Sequence, residues 1–156
     1  MVTVARAADA AQFLTLVPEL CGFTPRQSLV VVPFSGGHSR GALRIDLPDR
    51  LDESVCDQLA KAAIDTVGRM QSIDAVSMVI YTDADFGDSP PGARLVDRVR
   101  HLADDAGLRL IDALTVAADG WGSHFDPDTP AGGHASVTLA HRFDQLSGAE
   151  LPITDA

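Results

Sequence analysis

The segment Tyr81-Thr-Asp-Ala-Asp-Phe-Gly-Asp88 concentrates carboxylates in a short stretch of the chain. Carboxylate oxygens are the ligands that hard divalent cations prefer, and a bound cation can support hydrolysis or phosphoryl transfer. The segment does not follow the calcium-loop pattern, because Gly87 stands at a ligand position and Arg94 at the closing position. Two interpretations therefore stay open: Asp83 and Asp85 bind Mg²⁺ or Mn²⁺, or they are solvated loop acids.

Asp112 is an acidic residue inside a run that otherwise predicts a buried strand. Strict alternation places it on the same strand face as Leu110 and Leu114. Burial of an unsatisfied polar group costs about 2 to 7 kcal/mol, so a carboxylate at this position needs a partner or an exposed edge. Arg26 could pair with Asp112 in a structural ion pair, or Asp112 could face a cleft beside Asp83.

Two further side chains could bind a ligand or a partner. Arg26 precedes the first predicted central strand, where its guanidinium could bind a carboxylate or phosphate in bidentate fashion or bridge neighbouring loops. Trp121 follows a predicted hairpin turn and is either an exposed anchor for a partner or a core residue. The sequence carries no Gly-x-Ser-x-Gly nucleophile motif and no paired histidine spacing of the metalloprotease type.

Composition excludes several classes of protein. The chain has 156 residues, of which 46% are hydrophobic, and this predicts a single domain over residues 1–156. A net charge of −10, with Lys61 the single lysine, argues against binding to nucleic acid or to anionic membranes. No apolar run approaches the roughly 20 residues that cross a bilayer, and the N-terminus lacks a secretory pattern, so we expect a cytoplasmic protein. Cys21 and Cys56 are predicted to be reduced packing residues.

The hydrophobic pattern predicts the elements that position these residues. The first is a helix capped by Asp9, and Pro18 either ends it or starts a short further turn that a left-handed Gly22 closes. In chain order there follow a buried strand at 28–34, a half-exposed strand at 43–47, a helix capped by Asp52, a buried strand at 75–82, a helix from Ser89 to Gly107, a strand at 108–116 and a strand at 121–125. Strands alternate with helices in two crossover units after an early β-hairpin. The predicted fold class is therefore α/β, with a mixed sheet of about five strands and about three helices. The tail from about residue 134 has only weak helix or strand character.

Three stretches of the chain resemble an actinobacterial family of uncharacterised proteins, of the domain of unknown function 4192 type. They are Gly22-Phe-Thr-Pro-Arg-Gln-Ser-Leu-Val-Val-Val32, Val79-Ile-Tyr-Thr-Asp83, and Leu110-Ile-Asp-Ala-Leu114 with Gly120-Trp121 after it. Members of that family often carry a cysteine-containing loop after the tryptophan, which residues 123–133 of this chain do not. The resemblance thus implies a fold and no established activity.

The missing catalytic motifs lead us to expect a non-catalytic binding or assembly module without a cofactor. It would form a homo-oligomer or bind a protein partner, through an exposed strand or the hairpin at Trp121. One alternative is a divalent-metal-dependent hydrolase or phosphoryl-transfer enzyme that uses Asp83, Asp85 and Asp112. A second alternative is the binding of a small anionic ligand by Arg26.

Overall fold

The computed structural model describes residues 7–135 as three α-helices and a six-stranded mixed sheet. The elements are α1 (Ala7–Cys21), β1 (Ser28–Ser35), β2 (His38–Ser39), β3 (Leu43–Asp46), α2 (Glu53–Gly68), β4 (Ala75–Tyr81), α3 (Ala93–Asp105), β5 (Arg109–Val116) and β6 (Trp121–Ser123). The predicted α/β class with a mixed sheet and three helices is confirmed, and the two-residue β2 raises the number of strands to six. Apart from its first two residues, the tail predicted from about 134 lies outside the described residues.

The sheet has the strand order β2-β1-β4-β5-β6, and β3 pairs with β1 on the same side as β2. Strand β1 runs antiparallel to β3 and β4, so β3 and β4 are parallel to each other, and β4 is also parallel to β5. The segments β3-α2-β4 and β4-α3-β5 are therefore the two predicted crossover units. The predicted hairpin between β1 and the half-exposed strand that follows it is also present.

The helices cover both faces of the sheet. Along β1, Leu29 and Val31 pack on the face covered by α2 and α3, whereas Val30 and Val32 pack on the face covered by α1. All four side chains are fully buried. A strand that is covered on both faces loses the alternation of apolar and polar residues, which explains the continuous Val-rich run.

Both ends of the first predicted helix can be compared with α1, and the predicted start is wrong. Asp9 lies inside α1, because the helix already includes Ala7 and Ala8. Of the two possibilities at Pro18, an end of the helix is wrong and a further turn is confirmed, because α1 continues to Cys21 and Gly22 follows with a left-handed backbone (φ 86°). Burial of Val17 beneath the last turn and a 2.8 Å hydrogen bond from the amide of Gly22 to the carbonyl of Pro18 hold that turn despite the missing proline amide.

The start of α3 also differs from the prediction. The helix begins at Ala93, and Gly92 is its N-cap with a left-handed backbone (φ 95°) and no side-chain cap. The prediction placed the start at Ser89, because the two prolines that follow it are typical of a first helical turn. Residues 89–92 instead form a turn before the helix. The hydroxyl of Thr115 in β5 donates a 2.8 Å hydrogen bond to the carbonyl of Pro91 in this turn. None of the described helices is long and apolar enough to cross a membrane.

Candidate functional site

Gln27 connects the ends of three neighbouring strands, at the end of the sheet where β1 begins and β3 and β4 finish. It immediately precedes β1 and has a left-handed backbone with φ 44°, which is uncommon for a residue with a side chain. Its Oε1 accepts a 2.9 Å hydrogen bond from the amide of Asp83, just beyond β4. Its Nε2 donates longer hydrogen bonds to the carbonyls of Leu47 and Pro48, just beyond β3. Several contacts thus hold the strained backbone of Gln27, and they fix the positions of the three strand ends relative to one another.

Arg26 and Asp83 form an ion pair at the same end of the sheet, beside Gln27. The guanidinium lies 3.4 Å from the carboxylate, and the two side chains are 78% and 61% exposed. An ion pair this exposed contributes between 0 and about 1 kcal/mol to stability. The pair borders a shallow depression of about 160 Å³ that Tyr81 and Ala118 also line. The predicted pairing of Arg26 with Asp112 is wrong, because Arg26 reaches Asp83 instead.

The residues of the predicted metal site do not converge. Asp85 is exposed, and Asp83 is already paired with Arg26. Asp112 lies opposite Ser77 in the sheet, whereas the segment with Asp83 begins after Tyr81. Tyr81 lies four residue steps along the strand from Ser77, which is about 13 Å. Within residues 7–135, no three side chains of His, Cys, Asp or Glu lie close enough to hold one metal ion together.

A β-bulge decides which face of the sheet Asp112 occupies. In the pairing of β4 with β5, Val76 lies opposite Leu110, but Ser77 lies opposite Asp112. The extra residue, Ile111, reverses the alternation at this point. Asp112 therefore shares its face with Leu114, on the α1 side, whereas Leu110 packs against the α2 and α3 side. The prediction that strict alternation puts Leu110 and Asp112 on one face is wrong.

Asp112 has hydrogen-bond partners in place of a cation. Ser123 donates from its Oγ to the carboxylate at 2.6 Å, and the amide of Ala113 donates to the same oxygen at 2.8 Å. Burial nevertheless raises the pKa of Asp112 above its ordinary value, and these two hydrogen bonds only partly oppose the rise. The carboxylate is thus part of a local network that ties β5 to β6.

Ser123, His124 and Asp112 do not form a catalytic triad. Neighbouring residues of a strand point to opposite faces, so Ser123 reaches Asp112 while His124 turns to the other face. There the Nε2 of His124 lies 2.8 Å from the Oγ1 of Thr115. Burial lowers the pKa of His124 to about 4, so its imidazole is neutral at pH 7. The hydroxyl of Ser123 thus donates to a carboxylate and does not reach the imidazole of His124, so the serine–histidine pair of a nucleophilic enzyme is not formed.

Two recesses lie along α3. One, of about 400 Å³, lies between α3 and the end of β6 and is lined by Asp97, Arg100, His124 and Phe125, among others. The guanidinium of Arg100 stands 4.8 Å from the centre of the Phe125 ring. The size is that of a small-molecule site, but the lining is charged rather than mainly apolar as such sites usually are. The spacing of Asp97 and Arg100 predicts a shared helix face, which sequence reasoning could have used to find this recess.

Trp121 is a core residue. Its side chain is 2% exposed and packs in the cluster beneath α1. Its backbone also pairs with His134, in both directions at 3.0 and 2.7 Å, so the outer edge of β6 is occupied at this residue. The core interpretation of Trp121 is confirmed, and the interpretation as an exposed anchor is wrong.

Strand β3 lies at the edge of the sheet opposite to β6. The amide of Leu47 donates a 2.9 Å hydrogen bond to the carbonyl of Gln27 and therefore points towards β1. Because backbone groups alternate in direction along a strand, Ile45 also points towards β1, whereas the amides of Arg44 and Asp46 point away from it. No described residue pairs with this outer side of β3. Two backbone donors and two acceptors are thus presented side by side.

The side chains of β3 divide between the two faces. Leu43 and Ile45 are half-buried against the cluster beneath α2, and Arg44 and Asp46 are exposed on the other face. Arg44 lies 2.7 Å from the carboxylate of Asp46 and also donates to Ser28. The edge therefore carries one positive and one negative side chain, held next to each other.

A comparison with protein families places these features in context. The model of the family described as "Domain of unknown function (DUF4192)" matches residues 11–144. The chain belongs to this family. The match includes all six strands, and it confirms the family resemblance inferred from the sequence. No curated protein and no solved structure is significantly similar to the chain.

Within this DUF4192 domain, the structure brings together some of the predicted site residues and separates others. Arg26 and Asp83 meet, Asp112 lies further down the sheet, and Trp121 is buried. Sequence reasoning missed the bridging role of Gln27, because a left-handed glutamine has no signature in sequence. It also missed the paired charges of β3, although the order Leu-Arg-Ile-Asp already alternates apolar and charged residues.

Proposed function

We propose that the chain is a non-catalytic binding or assembly module of the cytoplasm, and that it binds its partner by adding a strand to β3. The observation that carries the proposal is the outward direction of the amides and carbonyls of Arg44 and Asp46, which no described residue satisfies. An edge of this kind is a ready template for another strand, and strand addition is a common mode of protein recognition. We expected association through an exposed strand or through the hairpin at Trp121, and β3 supports the proposal better, since β6 pairs with His134 at Trp121.

The geometry of the sites that could do chemistry supports the same proposal. Ser123 donates to a carboxylate and not to an imidazole, and Asp83 is paired with Arg26. No serine, threonine, cysteine or lysine lines the recess between α3 and the end of β6. A binding module needs none of these. It needs a rigid surface, and β3 is held in place by the pairing with β1 and by the bridging contacts of Gln27.

Two substitutions of one residue test the proposal. Asp46→Pro removes an outward amide without removing a hydrogen bond to β1, and edge positions of this type tolerate proline. Asp46→Ala removes the same carboxylate but keeps the amide, so it is the matched control. We expect the alanine variant to retain the partner and the proline variant to lose it. The measurements are the mass in solution by light scattering and affinity capture of partners from an extract of the native host.

Two results would contradict the proposal. One is a wild-type chain that is monomeric and captures no protein, and the other is equal association of the wild type and the proline variant. Circular dichroism of both variants checks that each is folded. Asp46 suits this purpose because its side chain is 87% exposed and contributes little to the core.

A further inference from the structure

We propose that the partner of β3 is β3 of a second copy of the chain, paired antiparallel about a twofold axis that passes beside Ile45. The inference rests on the proposed function and names the partner of that same edge. In a twofold interface the same surface patch meets itself, so each contact must be self-complementary. The edge of β3 meets this condition in its hydrogen bonds, its charges and its apolar residues.

The hydrogen bonds fit a single register. Around a centre at Ile45, residue 44 of one copy lies opposite residue 46 of the other. Arg44 and the partner's Asp46 would exchange two backbone hydrogen bonds, and the symmetry-related pair would exchange two more. These are the residues whose backbone groups point away from β1. A register shifted by one residue would place inward-pointing groups opposite outward-pointing ones. Centres at Arg44 or at Asp46 would keep the outward groups opposite each other, but they would bring two arginines or two aspartates face to face, so the backbone and the charges together favour the centre at Ile45.

The charges fit the same register. Arg44 of one copy lies opposite the partner's Asp46, and Asp46 lies opposite the partner's Arg44. Opposite charges that face each other across two strands stabilise the pairing, whereas like charges destabilise it. Within one chain Arg44 uses part of its guanidinium on Asp46 and Ser28, and a guanidinium with five donors can bind a further carboxylate. Asp46 pairs with Arg44 of its own chain but is 87% exposed, so its carboxylate can also accept from the partner's Arg44.

The apolar side chains and the strand ends agree with this arrangement. Ile45 would meet the partner's Ile45 as a pair without direct hydrogen bonds, in which side chains approach most closely. Ile45 is only half-buried within one chain, so the contact would cover apolar surface that is otherwise exposed. Pro48 has no amide at the next outward position, which limits the ladder to residues 43–47.

A test by charge reversal follows from the register. Asp46→Lys places a lysine opposite the partner's Arg44, and Arg44→Asp places an aspartate opposite the partner's Asp46. We expect each variant alone to associate at least about tenfold more weakly than the wild type, because both symmetric pairs change from attractive to repulsive. A mixture of the two variants pairs opposite charges again, so it should form a heterodimer. The chain carrying both substitutions should dimerise by itself.

The measurement is the mass by light scattering and sedimentation over a range of concentrations, with circular dichroism as a check on folding. Asp128→Lys is the matched control, because it makes the same change of charge at an exposed loop beside the other edge of the sheet. We expect this control to dimerise like the wild type.

The outcomes separate this inference from the proposed function. A wild-type chain that is monomeric at every concentration overturns the self-pairing, and the proposed function then stands only if a host protein is captured by Asp46→Ala and not by Asp46→Pro. A dimer that no variant weakens overturns both, since association would use another surface. A dimer that the single variants weaken but their mixture does not restore overturns the register.

Discussion

Gln27 is the residue at which backbone strain and long-range contacts coincide. A left-handed conformation costs a residue with a Cβ about 1 to 2 kcal/mol, whereas glycine adopts it freely. We predict that Gln27→Ala lowers the free energy of unfolding by about 1 kcal/mol, because the hydrogen bonds to Asp83 and to the end of β3 are lost. Gln27→Gly should be at least as stable as Gln27→Ala. Urea unfolding of the three proteins measures the differences.

The order of the two variants is the informative result. At an ordinary position glycine is less stable than alanine by about 0.5 to 1 kcal/mol, because it loses more conformational freedom on folding. If Gln27→Gly is the less stable variant by that amount, the backbone at residue 27 is not strained.

Asp112 makes stability depend on pH through a single carboxyl group. Its pKa in the folded chain is raised above the ordinary value of 3.8, so the folded state holds a proton that the unfolded state has lost in the interval between them. The contribution of Asp112 to stability therefore falls as the pH rises from 3.8 through the folded pKa, and is constant above it. We predict that Asp112→Asn, which can still accept from Ser123, is more stable than the wild type at neutral pH. The free energies of unfolding of the two proteins, measured with urea, should converge below pH 3.8.

Comparison of the two proteins at each pH isolates the contribution of Asp112, because their other carboxyl groups are the same. Ser123→Ala is a second check, because it deletes the donor of the 2.6 Å hydrogen bond and should cost about 1 to 3 kcal/mol. A difference between wild type and Asp112→Asn that is independent of pH would show that Asp112 does not titrate as we describe.

The turn before α3 is an element whose shape depends on one glycine. Gly92 has φ 95°, and a Cβ at this position would lie 2.5 Å from the Cδ1 of Ile80, a buried side chain of β4. We predict that Gly92→Ala lowers the free energy of unfolding by about 2 to 3 kcal/mol, from backbone strain and overpacking together. Gly68 at the end of α2 is the control: nothing lies within 4 Å of a Cβ there, so Gly68→Ala should stabilise by about 0.5 to 1 kcal/mol. Thermal unfolding measures the change in stability of both variants. Equal changes in Gly92→Ala and Gly68→Ala would contradict the prediction.

The elements that could be predicted from the sequence are those whose signal is local. The buried runs that became β1 and β4 needed only their Val-rich composition. The side chain of Asp52 accepts a hydrogen bond from the amide of Val55, as the predicted N-cap of α2 should. The partner of Asp112 could not be predicted, because the bulge at Ile111 depends on how β5 pairs with β4. Continuation of α1 past Pro18 depends likewise on burial of Val17 in the finished core. Each failure is a case in which tertiary contacts outweigh a local rule.

At the scale of the whole molecule, the sheet has one edge that is occupied and one that is open among the described residues. His134 pairs with Trp121 at β6, and nothing in residues 7–135 pairs with the outer side of β3. The central strands β1 and β4 are buried on both faces and paired on both sides. Amide hydrogen exchange should therefore be slowest in these two strands, because their opening requires unfolding of the whole domain.

Hydrogen exchange at β3 distinguishes the free edge from the paired edge residue by residue. In a monomer, the amide of Ile45 points towards β1 and should be protected, whereas the amides of Arg44 and Asp46 should exchange rapidly. In the proposed dimer all three amides are hydrogen-bonded, so Arg44 and Asp46 should gain protection as the concentration rises. In Asp46→Lys the amides at positions 44 and 46 should stay unprotected at concentrations where the wild type is dimeric, while Ile45 remains protected. Rapid exchange of the Arg44 amide in a wild-type dimer would show that the two copies meet elsewhere.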